Sequence, residues 1–292
     1  MCCYTKLLLL FLLFSVSFSC LQENRVRKFY KVKNCRRSDI NAVGRTSVSS
    51  LKECSIYAGE KNALAFNYSP PEAAKKRKKA TYNCHALGCP ELNNFTALVN
   101  DTLFDYYSSY GNVSVLENAT CIKSVGVFRL IHTKLNYSEA VENCQSIYSD
   151  LAHVLTETRT TSLAKMLAFL TDWYKAAYIG LDDRKIEGQY ETPLGDPINC
   201  YKYRAWSPGQ PRNVIKSDDC VILEDTKTWK IVNCKHQMAS ICELYPTPPD
   251  KYRNKYLDAD CEDYDDSGER ESCKEYKRNK KKKGKRRNRC LD

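Results

Sequence analysis

Four histidines, His85, His132, His153 and His236, are the only imidazoles in the chain. None frames a His-Glu-x-x-His zinc motif, and no Gly-x-Ser-x-Gly elbow, phosphate loop or dinucleotide-binding glycine pattern occurs. Asp182 and Asp183 are an adjacent acid pair that could in principle move protons, but surface carboxylates are common and no nucleophile accompanies them. Cysteine dominates instead, with 16 in 292 residues. No Cys-x2-Cys pair is present, and Cys84 and Cys89 lack a histidine pair to complete a zinc site. Disulfides are therefore expected, a catalytic thiol is not, and the chain is not expected to be an enzyme.

The start of the chain supplies the oxidising compartment that disulfides need. Lys6 precedes an apolar run from Leu7, and Ser17 and Ser19 sit as a cleavage site requires, so residues 1–19 read as a secretory signal peptide. The apolar run from Leu7 to Phe18 has 12 residues, short of the ~20 that a spanning helix needs. Cleavage before Cys20 leaves an even 14 cysteines, and a secreted, extracellular protein without a membrane span is expected. Asn67, Asn94, Asn100, Asn112, Asn118 and Asn136 each open an Asn-x-Ser/Thr glycosylation sequon.

Composition divides the rest into residues 20–115, 121–245 and 246–292. The last part opens on Pro246, Pro248 and Pro249, which mark a linker. Residues 258–271 then hold eight acids and one Arg, a charge of −7, and residues 274–289 hold eleven Lys/Arg and one Glu, a charge of +10. The two blocks sum to +3, so they supply only a part of the chain's net +11. Such blocks repel themselves and bury no core. Outside cells the basic block suits sulfated glycosaminoglycan, a processing protease at Arg286-Arg287, or only the acidic block beside it; nucleic acid is not expected.

The middle part has readable elements. Val125 to Ile131 alternates as a strand. Asn136 and Glu139 form a capping box for a helix whose apolar face is Tyr137, Ala140, Val141, Cys144 and Ile147. A second helix is predicted over Thr158 to Tyr174, with Leu163, Met166, Leu167, Leu170 and Trp173 on one face. Strands follow at Ala177 to Leu181, Cys220 to Leu223 and Ala239 to Glu243. Between them residues 182–219 make a long polar loop, a length that usually carries function.

These residues fall in an order that resembles the C-type lectin-like domain. The resemblance rests on Tyr137-x-x-Ala140-x-x-x-Cys144, Tyr178-Ile179-Gly180-Leu181, Glu187-Gly188-Gln189-Tyr190, Tyr203-x-x-Trp206-x-x-Gly209-Gln210-Pro211, Asp219-Cys220-Val221, Trp229 five before Cys234, and Ile241-Cys242-Glu243. It covers about 125 residues and implies an α+β fold with two helices, small sheets and a long loop. It also implies bridges Cys144–Cys242 and Cys220–Cys234. Cys121 and Cys200 are left over, and they are expected to pair with each other.

The family's sugar site is a calcium held by loop oxygens, and calcium needs six to eight of them. In the matching positions Gln210 and Asp218 keep possible ligands, whereas Arg212 and Lys230 bring cations and Ile231 brings no oxygen. Two added cations oppose calcium, so no calcium and no other cofactor is expected there. Arg212, Lys216 and Lys230 could instead form a basic site for an anionic glycan or an acidic protein surface, or be ordinary surface charges. Tyr201 could stack on a sugar, and Trp206 fits a core position.

In residues 20–115, Ser50 can cap a helix from Leu51 with Glu53 at its third position. Ala65 to Tyr68 and Tyr82 to Leu87 read as strands, joined by the basic stretch Lys75 to Lys79. A helix cysteine beside a strand cysteine suggests Cys54–Cys84. Cys54, Ala65-Phe66-Asn67-Tyr68 and Cys84-His-Ala-Leu-Gly-Cys89-Pro90 resemble the PAN/apple and MANSC types, though a second helix cysteine is missing at Ala58. The expected function is extracellular recognition of an anionic glycan or a protein without calcium chelation. The alternatives are a structural component of an extracellular complex and a calcium-dependent lectin.

Overall fold

The computed structural model describes residues 27–74, 82–112, 116–212, 218–249, 271 and 274. The expected signal peptide, the Lys75 to Lys79 stretch, Lys216 and most of the charged tail lie outside them. Strands are β1 (Tyr30–Lys33), β2 (Arg36–Arg37), β3 (Ala42–Thr46), β4 (Ala65–Tyr68), β5 (Cys84–Leu87), β6 (Val99–Asn100), β7 (Asp105–Ser108), β8 (Thr120–Ile122), β9 (Gly126–Leu135), β10 (Ser149–Leu151), β11 (Ala176–Asp182), β12 (Cys220–Glu224), β13 (Trp229–Val232) and β14 (Met238–Leu244). The helices used below span Leu51–Glu60, Tyr137–Ser146 and Glu157–Met166.

Period-two alternation builds the second half. In β11, Ala177, Ile179 and Leu181 enter one core while Ala176 and Tyr178 enter another. Val221 and Leu223 of β12 join the first core, and Cys220 and Ile222 join the second. A strand buried on both faces reads as a continuous apolar run, which is what these segments show. The strands assemble in the order β13-β12-β11-β14-β9-β8, with β10 also on β14. The Glu157–Met166 helix covers the first face and the Tyr137–Ser146 helix the second. Asn136 and Glu139 cap the latter reciprocally, at 3.0 and 2.9 Å. Gly180 is needed where β11 passes β10: a Cβ there would lie 2.4 Å from the Leu151 carbonyl oxygen.

The first half is an antiparallel sheet in the order β1-β7-β4-β5-β3. Ser50 caps the Leu51–Glu60 helix through the Glu53 N–H, and Cys54 and Ala58 turn inward. Cys54 is bonded to Cys84, so the helix is pinned to β5. The two sheets share a core: Leu64, Leu87, Phe95, Tyr106 and Tyr110 pack with Val127 of β9 and Leu244 of β14. A Cys89–Cys121 bridge crosses the same junction. The proline segment also returns to it, since Gly111 N–H donates to Thr247 O at 2.7 Å and Pro249 packs on Gly111.

Several expectations change. Cys121 bonds Cys89 rather than Cys200, because β8 lies on the β9 edge beside the end of β5; Cys200 is also disulfide-bonded. The second helix stops at Met166 and continues as one 3-10 turn, Leu167–Phe169, before Leu170 turns extended. Leu163, Met166, Leu167 and Leu170 are buried, but Trp173 lies beyond the helix and is 96% exposed. Asn67 is 1% exposed, and its amide bonds the Ser38 N–H and carbonyl at 3.0 and 2.9 Å, so it has no room for a glycan. Asn112 is likewise buried at 5%. Cys144–Cys242 and Cys220–Cys234 are both present.

Candidate functional site

The long loop leaves β11 through a two-way pairing of Asp182 with Glu191, at 3.2 and 2.8 Å. It then folds on aromatic rings. Tyr190 meets Trp206 at 5.1 Å, Trp206 meets Trp229 at 5.5 Å, and Tyr203 meets Trp229 at 5.6 Å, all edge to face. Trp229 N–H donates to Ala205 O at 2.7 Å and Ser207 N–H to Trp229 O at 2.8 Å, so the loop pairs with the open edge of β13. Gly209 supplies a positive φ of 77°, and a cis peptide follows at Gln210-Pro211.

Arg204 organises the loop's middle. Its guanidinium donates to the carbonyls of Ile198, Tyr201 and Tyr203 at 2.9, 2.7 and 2.8 Å. No carboxylate pairs with it among the described residues, and burial lowers its pKa. Gly188, Tyr190, Ile198, Asn199, Arg204, Trp206 and Pro211 line a cavity of about 340 Å³. Acidic groups approach at one wall, because Gly188 N–H donates to Asp183 at 2.8 Å.

The described candidate residues have separate partners. Gln210 lies at the β13 edge, where its Oε1 accepts from Ile231 N–H at 3.3 Å. Arg212 is exposed just past the cis proline, and Asp218 is half-buried before β12. Lys230 faces away from them: Trp229 and Ile231 enter the first core, whereas Lys230 stands on the other face of β13, its Nζ 5.9 Å from the Tyr174 ring. Tyr201 is half-buried and donates to Asp196 at 3.1 Å; burial first, then Asp196, raises its pKa. It is not an open stacking platform. Arg204 and Asn199 escape the sequence reading, since nothing in their local spacing marks them, whereas Tyr190 enters it only as a landmark of the resemblance.

Residues 133–244 match the family model for the lectin C-type domain, and this stretch of the chain has the C-type lectin fold. Over 101 residues the chain is 33% identical to the mannose-binding protein of Gallus gallus, covering 34% of this chain and 38% of that one. Over 125 residues it is 29% identical to C-type lectin domain family 4 member E of Mus musculus, covering 40% and 54%. The chain thus spans about half or less of the length of these relatives. Among solved structures, the carbohydrate-recognition domain of the mouse scavenger receptor C-type lectin aligns at 21% identity with a TM-score of 0.40, covering 45% of this chain and 96% of that one.

The family implies calcium, and the donors here fit it poorly. At the sugar position Gln210 is committed to Ile231, Ile231 has no side-chain oxygen and Lys230 is turned away. Deeper in the loop, Asp183 is 2% exposed and its Oδ1 has no hydrogen-bond partner. Burial raises its pKa, with Glu187 and Asp219 adding repulsion. Those acids act from a distance, because no three His, Cys, Asp or Glu side chains converge to hold a metal among the described residues.

Proposed function

We propose that the protein is a secreted recognition module whose C-type lectin domain binds an anionic glycan without calcium chelation at the Gln210 position. The observation that carries this reading is Arg204, a cation with carbonyl partners but no carboxylate among the described residues, in the wall of a cavity of about 340 Å³ beside Pro211. A guanidinium in such a place attracts carboxylate or sulfate oxygens, and the partly exposed Trp206 offers apolar surface to a sugar ring. Arg212 adds a second cation next to Pro211. The basic block 274–289 supports the same ligand class by counterion release.

The test is a glycan array on the whole secreted chain, in calcium and in chelator, at low and moderate salt. Chelator-insensitive, salt-sensitive binding to sulfated or carboxylated glycans that weakens in Arg204→Ala supports the proposal. Chelator-sensitive binding to neutral sugars overturns it in favour of a calcium-dependent lectin. A blank array overturns it in favour of a protein ligand in an extracellular complex.

A further inference from the structure

The face of the lectin domain that carries Trp173 is unlike the rest of its surface. Helix and 3-10 turn end at Phe169, and the chain then runs Leu170-Thr171-Asp172-Trp173-Tyr174 back to β11. Leu170 anchors this turn in the core, while Phe169 is 72% exposed and Trp173 is 96% exposed. Water-exposed aromatics of this size cost free energy unless something covers them. Lysines surround the pair. Lys175 Nζ donates to the Ala168 carbonyl within the turn at 3.2 Å, Lys134 pairs with Asp172 at 2.9 Å, and Lys230 stands over the Tyr174 ring, which itself lies 5.8 Å from Trp173. Lys165 is exposed on the last turn of the preceding helix.

The neighbouring acids are largely occupied. Asp172 belongs to Lys134, and Glu224 accepts from Tyr174, Ser207 and Thr228 at 2.7, 2.8 and 3.0 Å. Asp225 is the acid left exposed, against Lys165, Lys175 and Lys230, none of which forms an ion pair among the described residues. A turn that projects Trp and Phe within a lysine rim has the chemistry of a bilayer interface. The rings enter at headgroup depth, and the lysine stems lie on apolar surface while their ammonium groups reach lipid phosphates and carboxylates.

We propose that the Phe169–Trp173 turn docks on an anionic lipid surface. This site is separate from the Arg204 cavity and does not depend on it.

The chain has three tryptophans. Trp229 is fully buried and Trp206 packs on it, so Trp173 is the one whose emission reports contact with a membrane. The basic tail has no tryptophan and cannot imitate that signal. The full secreted chain is mixed with phosphatidylcholine vesicles, with and without phosphatidylserine, and followed by tryptophan emission and co-sedimentation. The expected result is a shift to shorter wavelength with phosphatidylserine vesicles alone. Partitioning should fall about tenfold or more in the Phe169→Ala/Trp173→Ala double variant, whose exposed positions leave the fold intact. Co-sedimentation with unshifted emission, equal in the variant, would mean that the tail alone holds the vesicles and overturns the proposal. So would no association, or an equal shift with phosphatidylcholine. A concentration-dependent shift without vesicles, lost in the variant, would overturn it by assigning the face to a second copy of the chain.

Discussion

Ile231 donates its backbone N–H to the side-chain carbonyl of Gln210 at 3.3 Å, and that bond ends the long loop on the edge of β13. An edge strand presents N–H groups that need partners. Here the loop backbone satisfies Trp229 and a side chain satisfies Ile231. Gln210→Ala should therefore speed amide exchange at Ile231 while leaving Trp229 protected through Ala205. The stability cost should be about 1 kcal/mol. Unchanged exchange at Ile231 would show that the bond is not populated in solution.

The bridge between the two halves should matter more. Cys89 and Cys121 are 32 residues apart in sequence, and their disulfide closes the junction where both sheets bury Leu64, Tyr106, Val127 and Leu244. Loop entropy for a crosslink of that span gives about 3–4 kcal/mol of stabilisation. Replacing both cysteines with serine should lower stability by an amount of that order, measured by denaturant unfolding. A much smaller loss would mean that residual structure already holds these segments together in the unfolded chain.

Glycosylation should follow burial rather than the sequon pattern. Asn94, Asn100 and Asn118 are exposed, and Asn136 is half-buried with its side-chain carbonyl accepting from Glu139 N–H, which leaves its amide nitrogen available. Asn67 and Asn112 are buried. Peptide mapping of protein from a secretory host should find glycan at some of the first four and none at Asn67. Occupied Asn67 would mean that β4 is modified before it pairs, and would contradict its bonds to Ser38.

The lectin fold was legible because its strands are buried on both faces and its helices carry caps. Asn136 with Glu139, and the apolar runs at Ala177, Cys220 and Ala239, announce themselves locally. Spacing alone carries the second helix too far, because Trp173 keeps helical step with Leu163 and Leu170 and nothing local reveals that the chain must turn at Leu170 to reach β11. The partner of Cys121 is hidden for a related reason: it is set by β8 lying against the first sheet, which no local pattern encodes. Its position after Trp229 assigns Lys230 to the candidate site. Alternation along β13 turns it to the opposite face. Arg204 carries no signal at all, since its role comes from three carbonyls brought together by the loop's fold.

Asp183 gives the sharpest pH test. It is buried, one of its oxygens has no hydrogen-bond partner, and burial together with Glu187 and Asp219 raises its pKa. An acid raised on folding still holds its proton in the folded state at a pH where the unfolded chain has released it. Stability from such a group falls as pH rises, starting near the ordinary Asp value of about 3.9 and continuing through the raised folded value. Asp183→Asn keeps an oxygen for the Gly188 N–H and removes the charge. In chelator the variant should match the parent at low pH and exceed it near neutrality, by on the order of 1 kcal/mol. The measurement is Tm against pH for both proteins. A variant less stable than the parent near pH 7 would mean that the carboxylate is favourable where it stands, and that Glu187 and Asp219 do not act on it as like charges.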